Sequence, residues 1–202
     1  MRLIKKYTNE LGFIKLAALL FVAGFFIGIL IAVLMKESYS GQLAELNETF
    51  FTNLNSTTID NNELFQLVSI KNIKSLLLLF VVCTTVLGIP YLTFYLLLKG
   101  FNLGFLLAAS IMQYQWKGII LFFLYLFPQY FVYIPVMALA IVKGYYLNRQ
   151  LHHVSQNKKT TKKIIIEQIP FLFIAAVLLL VGSALEAYAN ASMIQKLIPS
   201  LF

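Results

Sequence analysis

The residue in this sequence that is best suited to carry chemistry is Glu186, a single glutamate inside an apolar segment. It is flanked by Ser183-Ala184-Leu185 and Ala187-Tyr188-Ala189. A carboxylate in hydrocarbon costs several kcal/mol unless it is paired, protonated or hydrated, so Glu186 must have a partner. Two interpretations stay open: a proton or ion relay, and a polar clasp that holds the last helix to the rest of the chain. The expected partners are the hydroxyl groups of Tyr130 and Tyr133, the amide of Gln129, and backbone N–H groups freed near Pro128 and Pro135.

Helix-breaking residues recur through the apolar sequence between positions 88 and 143. They stand in Gly88-Ile89-Pro90, in Lys99-Gly100 with Gly104, in Pro128-Gln129 and in Ile134-Pro135. Lipid offers no partner to an unpaired backbone group, so this density of breakers predicts kinked helices that pack closely. The amide of Gln129 can supply both a donor and an acceptor where Pro128 breaks the backbone pattern. We predict a membrane-embedded core with these structural polar and helix-breaking residues: Lys99, Gly100, Gly104, Pro128, Gln129, Pro135, Glu186 and Tyr188.

No motif in the sequence is typical of an enzyme. The chain lacks Gly-x-Ser-x-Gly, His-Glu-x-x-His, paired carboxylates, and an intramembrane serine combined with a histidine. His152 and His153 have no acidic or cysteine ligands nearby, which favours a solvated linker over a metal site. Cys83 is interpreted as a small packing residue. We therefore expect no catalytic residue, no cofactor and no bound metal.

The composition is that of an integral membrane protein. Of the 202 residues, 60% are hydrophobic and only 12% are charged, and a helix needs about 20 apolar residues to cross the hydrocarbon core. We predict an all-α polytopic membrane protein, a single domain over residues 1–202 with five transmembrane helices, some of them broken by proline or glycine. In the first helix, Gly24 and Gly28 are interpreted as a small-xxx-small packing face; the alternative is that their spacing is incidental, because glycine is common in such helices. The predicted spans are 14–35, 75–98, 101–116, 118–142 and 168–194.

The net charge of +8 is explained by topology and does not require nucleic acid as a partner. With the amino terminus in the cytoplasm and the carboxyl terminus outside, most basic residues fall in inner segments, including the linker 143–167. Basic loops resist translocation, so this asymmetry supports that orientation. The basic residues assigned to the inner side are Arg2, Lys5, Lys6, Lys15, Lys99, Lys143, Arg149, Lys158, Lys159, Lys162 and Lys163.

An outer loop is predicted over residues 36–74, with one or two short amphipathic helices at the membrane surface. Asp60 with Glu63 resembles a capping box at the start of one of them. The loop either packs at the membrane interface or docks a partner protein. Its candidate partner-binding residues are apolar side chains at helical spacing: Leu43, Leu46, Phe50, Leu54 and Phe65.

Taken together, the order and spacing of these motifs resemble the stage II sporulation protein M family. The resemblance is carried by Lys99-Gly100 with Gly104, by Pro128-Gln129 followed by Ile134-Pro135, and by Ser183-Ala184-Leu185-Glu186-Ala187-Tyr188. The chain length, the five spans, the long outer loop and the basic linker also agree. Many members of the wider group have a histidine after the first proline and a glutamate before the second. Gln129 and Tyr133 stand at those positions here, which favours the sporulation branch.

The resemblance implies a non-enzymatic scaffold of endospore-forming bacteria. Such a protein lies in the mother-cell membrane at the septum. It holds two cell-wall hydrolases, stage II sporulation proteins D and P, for peptidoglycan remodelling while the forespore is engulfed. Its partners are then these hydrolases and membrane lipid, and a homo-oligomer stays open. The alternatives are a transporter or channel subunit that uses Glu186 and, less favoured, a lipid-modifying enzyme.

Overall fold

The computed structural model describes residues 2–35, 60–154 and 158–190. Seven α-helices and one π-helix account for nearly all of them. The α-helices are α1 (Arg2–Leu34), α2 (Asn61–Cys83), α3 (Gly88–Tyr114), α4 (Trp116–Leu126), α5 (Tyr130–Val154), α6 (Lys158–Ile166) and α7 (Ile169–Ala184), and the π-helix is Leu185–Asn190.

Five helical stretches are long and apolar enough to cross a membrane. This confirms the all-α polytopic fold with five candidate spans. Their bounds are Gly12–Leu34, Asn61–Cys83, Gly88–Tyr114, Tyr130–His152 and Lys162–Ala189.

The second and third spans differ from their predicted bounds of 75–98 and 101–116. Helix α2 begins at Asn61, so residues 61–74 are not part of a loop, and it ends at Cys83. The hydroxyl groups of Thr84 and Thr85 donate to the carbonyls of Val81 and Val82, both at 2.7 Å, and satisfy groups that the ended helix leaves unpaired. Pro90 then lies in the first turn of α3, where proline costs no helical hydrogen bond.

Helix α3 runs without a break through Lys99-Gly100, where the sequence predicted a boundary between two spans. Lys99 is therefore in the middle of a helix and not in an inner loop. The predicted span 118–142 is divided instead into α4 and α5, which are separated at Pro128-Gln129. Pro135 lies inside α5 and does not end it, so α5 extends to Val154 and the predicted linker 143–167 is much shorter.

The start of α2 confirms the cap that was expected at Asp60. Its carboxylate accepts hydrogen bonds from the backbone N–H groups of Asn62 at 2.8 Å and Glu63 at 3.4 Å. These bonds satisfy N–H groups that have no partner within the helix. The predicted loop residues Leu43, Leu46, Phe50 and Leu54 lie outside the described residues.

Helices α1 and α3 pack in parallel through glycines on both sides, as predicted for Gly24 and Gly28. A Cβ atom on Gly24 would overlap the carbonyl of Leu97, and one on Gly28 would overlap the carbonyl of Phe101. Gly100 and Gly104 meet backbone atoms of α1 in the same way. Small residues allow the two backbones to approach closely. In lipid, where the hydrophobic effect does not drive helices together, the resulting van der Waals packing favours their association.

The remaining helices meet in two apolar clusters. The first joins the end of α2 to α3 and α5, and the second joins α2, α5 and α7. The first contains Leu79, Phe80, Cys83, Leu92, Tyr95, Leu96, Ile141, Leu147 and Leu151, and the second contains Leu76, Val136, Ala140, Ala175 and Leu179.

A buried asparagine closes the turn between α2 and α3. The side-chain amide of Asn148, on α5, donates to the carbonyls of Cys83 at 3.0 Å and Thr85 at 2.6 Å. A Cβ atom on Gly88 would overlap this amide, so only glycine leaves room for it. Three helices are thus tied together by one side chain.

We expect Gly28→Ala to lower the free energy of unfolding by about 1–3 kcal/mol, because the added methyl group must push α1 away from the backbone of α3. Gly12→Ala is the matched control, since a Cβ atom at Gly12 meets nothing within 4 Å and alanine favours helix. Thermal or chemical unfolding of the detergent-purified chain measures both. Equal effects of the two substitutions would contradict the proposed contact.

Candidate functional site

Four polar side chains meet between α2, α5 and the end of α7, and we call Asn72, Tyr133, Ser183 and Glu186 the polar cluster. The hydroxyl group of Tyr133 donates to Oε2 of Glu186 at 2.8 Å. Nδ2 of Asn72 donates to the Tyr133 hydroxyl oxygen at 2.8 Å and to Oγ of Ser183 at 3.1 Å. Of the partners expected for Glu186, the structure thus shows Tyr133 as its hydrogen-bond donor.

The network accounts for each of its hydroxyl protons. The Tyr133 hydroxyl lies 3.3 Å from Oγ of Ser183 but closer to Glu186, so its single proton goes to the carboxylate. The hydroxyl group of Ser183 donates to the carbonyl of Leu179 at 2.8 Å. Ser183 is fully buried, where an unpaired hydroxyl would be unfavourable. The cluster is a closed set of hydrogen bonds that ties three helical segments together.

Local backbone features bring these side chains together. A Cβ atom on Gly182 would overlap the ring of Tyr133, so this glycine lets α5 and α7 approach at the level of Ser183. The chain then leaves the α-helix at Leu185 and continues as the π-helix that carries Glu186. A π-helix holds more residues per turn and changes the direction of the side chains that follow, and such segments are frequent at functional sites.

Further polar groups surround Glu186. Lys71, one residue before Asn72, interacts electrostatically with the carboxylate, as do Tyr125 and Tyr130. The ring of Tyr130 meets that of Tyr133 at 6.0 Å in an edge arrangement. The carboxylate therefore has one lysine and three tyrosines as polar neighbours and is not an unpaired charge in lipid. Its burial does not require an external ligand.

A second contact fastens the π-helix to the first turns of α2. The hydroxyl group of Tyr188 donates to Oδ1 of Asn62, and its ring is tilted against that of Phe65 at 6.3 Å. Phe65 was predicted in the outer loop, but it lies in α2 and is half-buried. Tyr188 thus joins the π-helix to the beginning of α2, and its intramembrane role stays a prediction.

Gln129 fills the break between α4 and α5, as expected. It is fully buried, and its Nε2 donates to the carbonyl of Tyr125 at 2.7 Å. Among the residues that the structure describes, its Oε1 has no hydrogen-bond partner. The peptide bond between Phe127 and Pro128 is cis.

Sequence reasoning missed Asn72, Ser183 and Asn148. Ser183 is a lone hydroxyl in apolar sequence, and that isolation is the signal that could have identified it, because such a group needs a partner in the membrane. Asn72 and Asn148 stand next to basic residues, so their sequence surroundings do not mark them as hydrogen-bonding partners. Within the described ranges, no three histidine, cysteine, aspartate or glutamate side chains are placed to hold a metal ion.

Comparison with known families decides the assignment. The sequence profile described as stage II sporulation protein M matches residues 17–190. The chain belongs to this family. It is a multi-pass membrane protein of a sporulation family, and the matched region includes the whole polar cluster. Neither the curated proteins nor the solved structures give a significant match.

We expect Tyr133→Phe to destabilise the purified chain by about 0.5–2 kcal/mol, because it removes the hydroxyl group that Glu186 and Asn72 both use. Glu186→Gln keeps an acceptor oxygen, so it should cost less. Unfolding measurements on the single and double variants give the coupling energy between the two side chains. Tyr91→Phe is the control, since Tyr91 makes a ring contact with Tyr95 and no hydrogen bond among the described residues. A coupling energy of zero would contradict the clasp.

Proposed function

We propose that this protein is a non-enzymatic membrane scaffold. It recruits cell-wall hydrolases that resemble stage II sporulation proteins D and P and holds them at the septum, where peptidoglycan is remodelled during engulfment of the forespore. The observation that carries the proposal is the closed polar cluster. Glu186, the one acid deep in the last span, is bonded to Tyr133 and ties helices together, which is a structural use and leaves no free acid–base pair. Family membership supplies the link to sporulation.

The segment 36–59 is the surface that we propose for the hydrolases. It connects the first two spans, and its length far exceeds that of the turn at residues 84–87. If each span crosses once, residues 36–59 and residues 153–161 lie on opposite sides of the membrane. The first segment contains one basic residue, Lys36, and the second contains Lys158 and Lys159, so the positive-inside rule favours an outer position for the first.

We expect Phe50→Glu combined with Leu54→Glu to uncouple the hydrolases from the scaffold without preventing membrane insertion, because charges replace apolar anchors on one helical face. The measurement is co-purification of both hydrolases from sporulating cells, together with their localisation. A matched control is Val86→Glu with Leu87→Glu, which alters two exposed apolar residues at the opposite end of the bundle. Hydrolases that still co-purify and localise normally with the first pair would refute the role of this segment.

The proposed orientation predicts labelling from one side only. A membrane-impermeant thiol reagent should modify a cysteine placed at Asn55 in intact cells and should modify one placed at Asn157 only after permeabilisation. The background is Cys83→Ala, since the chain has one cysteine and it is buried. Labelling of both positions from the same compartment would overturn the topology on which the scaffold proposal rests.

A transporter or channel subunit is the second candidate, and one observation favours it. The break between α4 and α5 places the buried Gln129 near three tyrosines that surround an intramembrane carboxylate, and broken helices beside ionisable groups are used in ion pathways. A flux assay with the purified chain in vesicles separates the two. If Glu186 is part of a relay, the native chain carries a flux and Glu186→Gln does not. If Glu186 is part of a clasp, the clasp accepts the neutral amide, and neither the native chain nor Glu186→Gln carries a flux.

A further inference from the structure

One lysine lies on the side of α3 that faces the core, yet it is exposed. Leu92, Tyr95 and Leu96 are buried against α2 and α5 in the first apolar cluster. Lys99 continues their stripe, since positions 92, 95, 96 and 99 fall on one helical face. Its side chain is nevertheless exposed. The cover over this face therefore stops between Leu96 and Lys99.

The same face is covered again further along the helix. Ser110 is buried, because α4 folds back against α3 and a Cβ atom on Gly118 would overlap the Ser110 carbonyl. Between these covered parts, Lys99 and Asn102 are exposed, and Leu103 and Leu106 are only half-buried. The spacing of these four residues, i, i+3, i+4 and i+7, is the stripe that one helix offers to another. We call them the uncovered stripe.

Lys99 lies too far from both ends of α3 for its ammonium group to reach water readily. It stands eleven residues after Gly88 and fifteen before Tyr114, the two ends of α3. At a rise of 1.5 Å per residue, these distances are about 16 Å and about 22 Å. Lysines near helix ends extend to the interface, but a position close to the middle of a span is where a cation is least favourable. A lipid phosphate would have to leave the interface to meet it.

No acid of the described spans is placed to neutralise Lys99. Its ammonium group lies 5.3 Å from the centre of the Tyr95 ring, which is a partial substitute for an anion. Within the described spans the acids are Glu63, Glu167 and Glu186. The first two stand in the opening turns of their spans, and Glu186 is already bonded to Tyr133.

Positive charge accumulates around the same contact. The Tyr95 hydroxyl lies 3.3 Å from Oγ of Ser75 on α2, and Lys74 directly precedes that serine. Lys71 lies one turn away, and both lysines are exposed. Lys71 already interacts with Glu186, so the additional cation of this region is Lys74.

We propose that the uncovered stripe binds a transmembrane helix of another protein that carries an aspartate or glutamate at the depth of Lys99. A second copy of this chain fits poorly, because its own acids lie near span ends or are engaged. The proposal rests on the scaffold function and deepens it: partners are held by a charge pair within the membrane as well as by the segment 36–59. Intramembrane pairs of this kind select a partner by depth and sign of charge.

A defined probe tests the proposal with the full chain in phosphatidylcholine vesicles. The probe is a leucine-rich single-span peptide with glutamate at its centre, and the same peptide with glutamine is its reference. We expect the glutamate peptide to bind about tenfold more tightly, measured by energy transfer between labelled peptide and chain. Lys99→Arg should keep this preference, and Lys99→Gln should abolish it.

Two further variants make the result specific. Lys99→Glu should reverse the preference, so that a peptide with central lysine binds in place of the glutamate peptide. Lys143→Gln should leave the original preference unchanged. It is the control because Lys143 is also a lysine over an aromatic ring, 5.7 Å from the centre of Phe171, but it lies on α5, beside Gly144, which meets Cys83 at the end of α2.

Several outcomes would overturn the proposal. These are equal binding of the glutamate and glutamine peptides, a preference that persists in Lys99→Gln, full competition by added anionic phospholipid, and self-association of the chain that is lost in Lys99→Gln. Failure here is distinguishable from failure of the scaffold function. If hydrolase binding depends on Phe50 and Leu54 but the chain shows no preference for the glutamate peptide, the scaffold function stands and the charge pair is excluded. If the chain prefers the glutamate peptide but hydrolase binding does not depend on Phe50 and Leu54, the charge pair stands and the role of the segment 36–59 is excluded.

Discussion

The fold depends on the rule that polar groups in an apolar medium must find partners inside the protein. The bond from Tyr133 to Glu186 satisfies this rule for the most unfavourable group in the last span, and Asn72 and Ser183 extend it to α2 and α7. Removal of Tyr133 would take away the hydrogen bond of the Glu186 carboxylate, and an unpaired buried acceptor costs more than a typical hydrogen bond contributes. The polar cluster therefore fixes which helices are neighbours and at what height they meet.

Close contacts between small residues supply the second constraint. Apolar side chains gain little by leaving lipid for protein, so helices associate where backbones can approach. Gly28 and Gly104 provide that approach between α1 and α3, and Gly182 provides it between α5 and α7. At the far end of α1, Phe13 stacks on Tyr145 with ring centres 3.9 Å apart, so α1 is also held to α5. Packing of small residues thus sets the distance between neighbouring helices, and hydrogen bonding sets their relative height.

These constraints bear directly on function. Charges held within the bundle, such as Glu186, stabilise it, whereas charges left uncompensated on its surface, such as Lys99 and Lys74, are a cost unless another molecule meets them. A scaffold is the kind of protein in which such a cost is removed by its partner. The two proposed contact regions differ accordingly: we propose 36–59 for water-soluble domains and the uncovered stripe for a helix in the membrane.

The sequence by itself determined the fold class, the cap at Asp60, the glycine contact of α1 and the need of Glu186 for a partner, because each follows from local composition or from the cost of one residue in lipid. The family was indicated by a resemblance in the order and spacing of motifs, and the family profile shows it. The sequence misplaced the span bounds near residue 99, because a lysine in apolar sequence favours a loop, whereas the α-helix continues through Lys99 and the ammonium group lies over the ring of Tyr95. It could not identify Asn72, Ser183 or Asn148 as partners, because an amide or hydroxyl in the sequence does not reveal which distant helix it meets. Only the tertiary structure decided that Tyr133 satisfies Glu186 and that the cover over α3 stops before Lys99, since both depend on the relative height of helices that are far apart in sequence.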